Sequence, residues 1–502
     1  MSRHGAHADD DQVADEETML DPTEVDEEIA DDGDAPMDSD DDENNIVGEI
    51  ALQNDSVAHF DTHTDSIFCI AQHPVHPQII ATGGGDDVGY VFDATPLPTP
   101  PNGNTNSEPK AREGLTPLHK LTGHKDSLNS IAFTYPAGQY LCTAGLDGQL
   151  RVWSSIPSGT QYRFLAAAQE VEEINWLAPC PHPSRPNILA LGANDGSVWI
   201  YQIDRNAKGN ELHVLQAFYL HTASCTAGSW TPDGELLATV AEDSSLYVWD
   251  VFGAAEAAGL APVANSQHVV GLTGADERFR VEGGLYSVAV ASNAAFVAVG
   301  GPEGQIRVVG LPRVAHASSA SAGSSGSGAR SKVGGGKQVG GPKGAAASAG
   351  QAGQILASLQ AGTDNVESIS FSQPPLTLMA VGNVDSSITL FDTAHRFAVR
   401  RRIEGAHADE EFEHSVVKVE FVKREGAGGW LLTSVGYDGV VRRWDARGGT
   451  TAAGKGLVGE WKGHRGGGEG GGVMGFVQGG GEAVVTAGDD SIALVFQTPV
   501  QG

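Results

Sequence analysis

The feature that most constrains this chain is a unit that recurs along it. Its clearest copy runs from Leu121 to Trp153: L-T-G-H-K-D-S-L-N-S-I-A-F, then L-C-T-A-G-L-D-G-Q-L-R-V-W. One alternating apolar run is followed by a second, a tight Asp147-Gly148 turn and a strand ending on Trp153. An acid six residues ahead of an aromatic marks the unit. The mark falls at Asp86/Phe92, Asp147/Trp153, Asp195/Tyr201, Asp243/Trp249, Asp385/Phe391, Asp438/Trp444 and Asp490/Phe496. An eighth, degenerate copy at Glu303/Val309 keeps the flanking pattern, Leu285-Tyr-Ser-Val288-Ala-Val290 and then Ala295-Phe-Val-Ala-Val-Gly300. Each unit reads as four short strands. Repetition at this period predicts an all-β ring, an eight-bladed propeller over residues 46–498. The last unit ends near Phe496 with no outer strand of its own, so residues 55–60 should complete that blade and close the ring.

The units resemble WD40 repeats. Gly123-His124, Trp153, Trp249-Asp250 and Trp444-Asp445 carry the resemblance, with the turn Asp of every unit but the fifth. It implies a hydrogen-bond chain inside a blade, from a loop His through a strand Ser/Thr and the turn Asp to a strand Trp. A buried carboxylate is tolerable only with donors, and such a chain provides them. His124, Thr143, Asp147 and Trp153 make a full set, as do His221, Thr239, Asp243 and Trp249. His63, Thr82 and Asp86, and likewise His464, Thr486 and Asp490, end on Phe instead of Trp. Ser434, Asp438 and Trp444 take either His407 or His414. The third, fifth and sixth units lack the His and carry Leu191, Val299 and Val381 at the Ser/Thr position. Asp195 and Asp385 persist there, either as turn residues bonding their own backbone or as solvent-facing carboxylates.

Between the repeats the chain loosens. Residues 94–117 are Pro- and Asn-rich, 252–278 are Ala/Gly-rich, and 315–353 read as a flexible low-complexity insert. Residues 1–45 read as a disordered acidic tail, either solubilising or partner-capturing. The net charge is −33, of which residues 1–43 supply −18 (19 acids, one Arg), leaving −15 for the rest. That sign repels nucleic acid and anionic lipid and favours basic partners. No apolar run reaches membrane-spanning length and the N-terminus has no secretory h-region. The four cysteines show no CxxC spacing and read as reduced, buried thiols of a cytosolic or nuclear protein.

Catalytic motifs are not indicated. The His/Thr/Asp sets recur blade after blade, which fits scaffold and not one active site. Gly83-Gly84-Gly85 lacks the helix and Lys of a phosphate loop. His73, His76 and His182 lie in Pro-rich turns and read as solvated, not as metal ligands. Arg396 and Arg400-Arg401-Arg402 should decorate an outer strand edge. The expectation is a protein with no enzymatic activity, no cofactor and no metal.

Propellers meet partners on the face that carries the loops before the first strand and the turns after the second. On that face the pattern places Asp65, Asp126, Gln169-Glu170 and Asp364, with Glu411 in the acidic loop 409–413. Immediately before the turn acids it places Asn194, Glu242, Tyr437 and Asp489. Lys125 is one of few cations there. An acidic rim with Phe412 and Tyr437 suits a basic peptide with an apolar anchor.

The arrangement of acidic tail, eight units and a third unit reading E-V-E-E-I-N-W-L-A-P…N-D-G-S-V-W is similar to the angio-associated migratory cell protein family, with its fungal ribosome-assembly member. The resemblance implies a dedicated chaperone. Its client would be a basic large-subunit ribosomal protein (universal protein sixteen, L-ten in yeast), held by its basic N-terminal segment and delivered to the pre-60S particle. It implies a cytoplasmic monomer, with nuclear shuttling open, and no direct contact with membrane or nucleic acid. The alternative is a generic WD40 adaptor, a signalling scaffold or ubiquitin-ligase substrate receptor.

Overall fold

The computed structural model describes residues 53–95, 113–156, 161–260, 267–314, 351–409, 412–424, 426–448, 456–466 and 470–499. The acidic tail, most of the 315–353 insert and Glu411 lie outside the described residues.

Eight sheets, each built on four antiparallel strands, follow one another around a closed ring. Blade 2 is representative: Leu128–Phe133 lines the channel, then come Tyr140–Gly145, Leu150–Ser155 and the outer Tyr162–Ala168. The reason is visible in the second strand, which is buried along its whole length. Successive side chains point to opposite faces of a sheet. Leu141 therefore enters the core shared with blade 1, while Tyr140, Cys142 and Ala144 enter the core shared with blade 3. Each of the eight apolar clusters lies between two neighbouring blades. No blade can bury both of its faces by itself, so burial alone drives the ring together.

The ring closes at the outer position of blade 8. Ala58–Phe60 pairs antiparallel with Ala493–Gln497, the third strand of that blade. The Phe60 ring stacks on Phe92 of blade 1 with centroids 4.3 Å apart. A fifth strand was not expected: Glu113–Gly114 adds in parallel to Ala58–His59, and the Leu115 N–H donates to the His59 carbonyl at 2.8 Å. It comes from the Pro- and Asn-rich stretch that had been read as loop. Two further loop assignments need correction. Within 252–278 the structure has a short helix, Ala254–Ala257, and the outer strand of blade 4, His268–Leu272. Residues 351–353 belong to a turn, in which the Gly353 N–H donates to the Gly310 carbonyl at 2.9 Å.

Of the three Pro-rich turn histidines, His76 is exposed as expected, but the reading of the other two is corrected. His73 is 4 % and His182 9 % exposed. The His73 Nδ1 accepts the N–H groups of Val75 and His76, and the His182 Nε2 sits 3.0 Å from Glu235 of blade 4. Packing against the next blade covers both rings. Arg400, Arg401 and Arg402 lie on the outer strand of blade 6, Ala398–Ile403.

Candidate functional site

Five blades carry a His-centred network, and in all five the ring is buried. In blade 2 the His124 Nδ1 lies 3.1 Å from Asp147, its Nε2 lies 2.8 Å from Thr143, and the Trp153 Nε1–H donates to the Thr143 hydroxyl at 3.4 Å. His63 meets Asp86 at 3.0 Å and Thr82 at 3.0 Å. His464 meets Asp490 at 2.9 Å and Thr486 at 2.7 Å. In blade 7 the His is His407, 2.8 Å from Asp438 and 2.8 Å from Ser434, whose hydroxyl takes the Trp444 N–H at 2.8 Å. His414 turns instead to Asp409 at 2.9 Å. Arg442 adds a cationic partner to Asp438 beside the buried imidazole.

Blade 4 differs from the expected set. His221 reaches Thr239 at 2.8 Å, and Trp249 donates to the same hydroxyl at 2.8 Å, but the His221 Nδ1 meets Ser245 at 2.6 Å rather than Asp243. The Ser245 hydroxyl then bonds Asp243. Two of the three blades without a His keep the Ser link: Asp195 holds Ser197 at 2.6 Å and Asp385 holds Ser387 at 2.5 Å. The threonine hydroxyls of these networks belong to residues with no exposed surface (Thr82, Thr143, Thr239, Thr486). They cannot meet a substrate, so the sets hold the blades and do not form a nucleophilic site.

The carboxylates also pin the loop before the first strand. Asp86 accepts the Thr64 N–H at 3.2 Å, Asp147 that of Lys125 at 3.0 Å, Asp243 that of Thr222 at 2.6 Å and Asp385 that of Thr363 at 2.6 Å. The residue just ahead of the turn acid donates its N–H back to the same loop: Leu146 to Ser127, Asn194 to Glu173, Glu242 to Ser224, Tyr437 to Ser415 and Asp489 to Gly472. Loop and turn are thereby one rigid rim. Gly148 shows how close they run, since a Cβ there would collide with the Val171 carbonyl at a φ of 70°.

On this rim Asp65, Asp126, Glu170, Asn194, Glu242, Asp364 and Tyr437 are all exposed. Asp65, Asp126 and Asp364 follow the pinned residue directly, and each caps the next N–H at 2.7–2.8 Å. Asp489 is half-buried and already engaged, taking the Ser66 hydroxyl at 2.5 Å and the Gly470 N–H at 3.1 Å. The rim shares one field across blades 6 to 8. Loss of solvent and then the charge of Asp364 raise the Glu367 carboxyl, and loss of solvent with Glu367 and Asp489 raises the Tyr437 phenol. Arg465, directly after His464, is an exposed cation that the sequence reading left out; it matches Lys125 in position.

Besides Phe412 and Tyr437, which the sequence pattern places here, this face carries several further apolar groups. Phe68, the second residue of its channel-lining strand, and Tyr286, directly ahead of the strand Ser287–Val290, are 37 % and 36 % exposed. Leu146 sits just before Asp147, the register of Tyr437, and Tyr219-Leu220 precede His221. Phe412 is 63 % exposed, and its N–H donates to Asp409 at 2.7 Å. Carboxylates interleaved with aromatic and aliphatic groups can hold a chain that carries both cations and apolar side chains. Among the described residues no group of three His, Cys, Asp or Glu side chains is placed to share a metal ion.

The chain is similar to known proteins in sequence and fold. A model described as WD domain, G-beta repeat matches residues 54–93, 115–154 and 212–250. The chain is 48 % identical to the crystal structure of Sqt1 from Chaetomium thermophilum, covering 89 % of this chain and 98 % of that one, with a TM-score of 0.73. A second crystal structure is of the same fungal Sqt1 bound to the N-terminus of the ribosomal protein L10; it is 48 % identical, covers 89 % of this chain and all of that one, and has a TM-score of 0.74. Ribosome assembly protein Sqt1 of Saccharomyces cerevisiae is 35 % identical over 45 % of this chain, a match spanning 48 % of the yeast protein. Human angio-associated migratory cell protein is 24 % identical over 84 % of this chain and 75 % of its own length.

Proposed function

The chain belongs to the WD40 family of the ribosome assembly protein Sqt1, and from that premise we propose that it is a dedicated chaperone for ribosomal protein L10. It takes the basic N-terminal segment of the client onto the acidic rim and shields it from RNA and from aggregation. It then hands the client to the pre-60S particle. The observation that carries this reading is the 48 % identity, over the full length of the solved chain, to a propeller crystallised with that N-terminus. The rim supplies the matching chemistry: exposed Asp65, Asp126, Glu242 and Asp364 for cations, and Tyr437 and Phe68 for apolar side chains. The role is non-enzymatic and needs no cofactor. We place it in the cytoplasm, where ribosomal proteins are made, and assign it to a monomer. Affinity capture of a tagged copy from translating cells should enrich L10 above all other large-subunit proteins. Even recovery of the whole set, or of none, contradicts the reading.

A further inference from the structure

We propose that a groove on the outer wall, between blades 2 and 3, docks a short acidic segment of another protein that carries an apolar side chain beside its carboxylates. The groove has a volume of about 400 Å³. It lies where the third strand of blade 2 turns back into the outer strand, at the opposite end of the ring from the acidic rim. Ser154, Ser155 and Ile156 form one side, Arg163 and Leu165 of the outer strand another, and Arg205 reaches it from blade 3.

The lining is donor-rich and acid-free. None of its described lining residues is Asp or Glu, in a chain with a net charge of −33. Arg163 and Arg205 are exposed and form no ion pair among the described residues, although most other described arginines have a carboxylate or carbonyl partner. The Ser154 and Ser155 hydroxyls make no hydrogen bond within the described residues. The two arginines and the strand-end serines thus line one cavity with no carboxylate among its described lining residues. Guanidinium forks match carboxylates in geometry. Ile156, 40 % exposed, adds an apolar contact that a small anion would leave unused.

The same features select a peptide over a nucleic acid. At physiological salt the field of a distant charge decays within about 8 Å, so a segment confined to the groove sees mainly the two arginines. A polyanion would extend along the wall into a surface of the opposite preference. The outer strand Tyr162–Ala168 is an edge whose outward backbone groups are open to pair with an extended segment.

The test uses full-length protein and a fluorescein-labelled peptide of alternating Asp and Leu, with the alternating Lys and Leu peptide as the control. Anisotropy should report binding of the acidic peptide. The pair Arg163→Glu and Arg205→Glu should weaken it about tenfold or more. Its thermal midpoint and its affinity for the L10 N-terminal peptide should stay those of wild type, which separates loss of the groove from loss of the fold. Ile156→Ser should weaken the Asp/Leu peptide but not an all-Asp peptide. Four outcomes overturn the proposal. One is no binding up to about 1 mM; another is binding that survives the double reversal. The third is tighter binding of a short oligouridylate than of the peptide. The fourth is about tenfold tighter peptide binding once the acids of residues 9–43 are changed to amides, which would give the groove to the chain's own acidic segment.

Discussion

His221 turns its Nδ1 to the Ser245 hydroxyl at 2.6 Å, and Ser245 carries the contact on to Asp243. Blade 4 therefore has one more member between the His and the Asp than blades 1, 2, 7 and 8, where the two touch directly. Ser245 is 1 % exposed, so its loss leaves a buried imidazole nitrogen without a partner. Ser245→Ala should cost about 1–3 kcal/mol of unfolding free energy. Ser197→Ala, in a blade with no His, should cost less than half of that. Urea denaturation of the two variants beside wild type is the measurement.

Acid should unlock the same networks. Burial holds His221 down at about 4, and burial also lowers His124 and His407 despite their carboxylate partners. The unfolded chain protonates its histidines near pH 6.5. Between those values the unfolded state binds more protons, so stability is complete above about pH 6.5 and falls as the pH drops toward 4. His221 alone accounts for at most about 3 kcal/mol of this window. Asp438 enters later: burial pushes its carboxyl up, but His407 and Arg442 outweigh that and hold it at about 2, so its contribution fades only below pH 3.8. Denaturant midpoints at pH 7 and pH 5 should differ, and His221→Gln should flatten the dependence.

Asp385 keeps its hold on the Thr363 N–H at 2.6 Å and on the Thr363 hydroxyl at 3.0 Å, in a blade without a His. Its task there is to fix the loop that presents Asp364. Asp385→Ala should speed hydrogen exchange at Thr363 and Asn365 far more than at Val381 or Leu390, in the middle of the same blade. A uniform rise across the blade would mean that Asp385 holds the fold and not the rim.

The thiols should be silent in the native state. All four cysteines are free; burial pushes Cys180 up to about 11 and Cys225 to about 12, and raises Cys69 and Cys142 as well. The thiolate is the reactive form. A chromogenic disulfide reagent at pH 8 should label the native chain at less than about one-tenth of the rate in guanidinium, where all four thiols should titrate.

The ring was legible because its rule is local. A blade needs an apolar period of two, a tight turn and a marker six residues on, and Asp147, Gly148 and Trp153 display all of it within one short window. Closure by Ala58–Phe60 followed from counting strands. Contacts between blades were not legible. His73 and His182 look like turn residues until Phe133 and Glu235 are brought beside them by a neighbouring unit. The relay through Ser245 could have been read from the Asp-x-Ser spacing shared by Asp195-Ser197, Asp243-Ser245 and Asp385-Ser387. On the rim, acids were found because they adjoin the His and the turn Asp. Phe68 and Tyr286 were passed over because each lies one residue beyond a buried apolar position, Ile67 and Leu285, in or at the start of a strand. The parallel addition of Glu113–Gly114 has no sequence mark at all, being two residues at the end of a Pro-rich loop.

The central claim is that the acidic rim grips the basic N-terminus of L10. Calorimetric titration of that peptide into the full-length protein, repeated from about 50 to about 200 mM salt, tests it most directly. Affinity should fall steeply with salt, and Asp126→Lys and Glu242→Lys should each weaken it about tenfold at the lowest salt while leaving the thermal midpoint in place. Absence of binding, or an affinity indifferent to salt and to both reversals, would contradict the account.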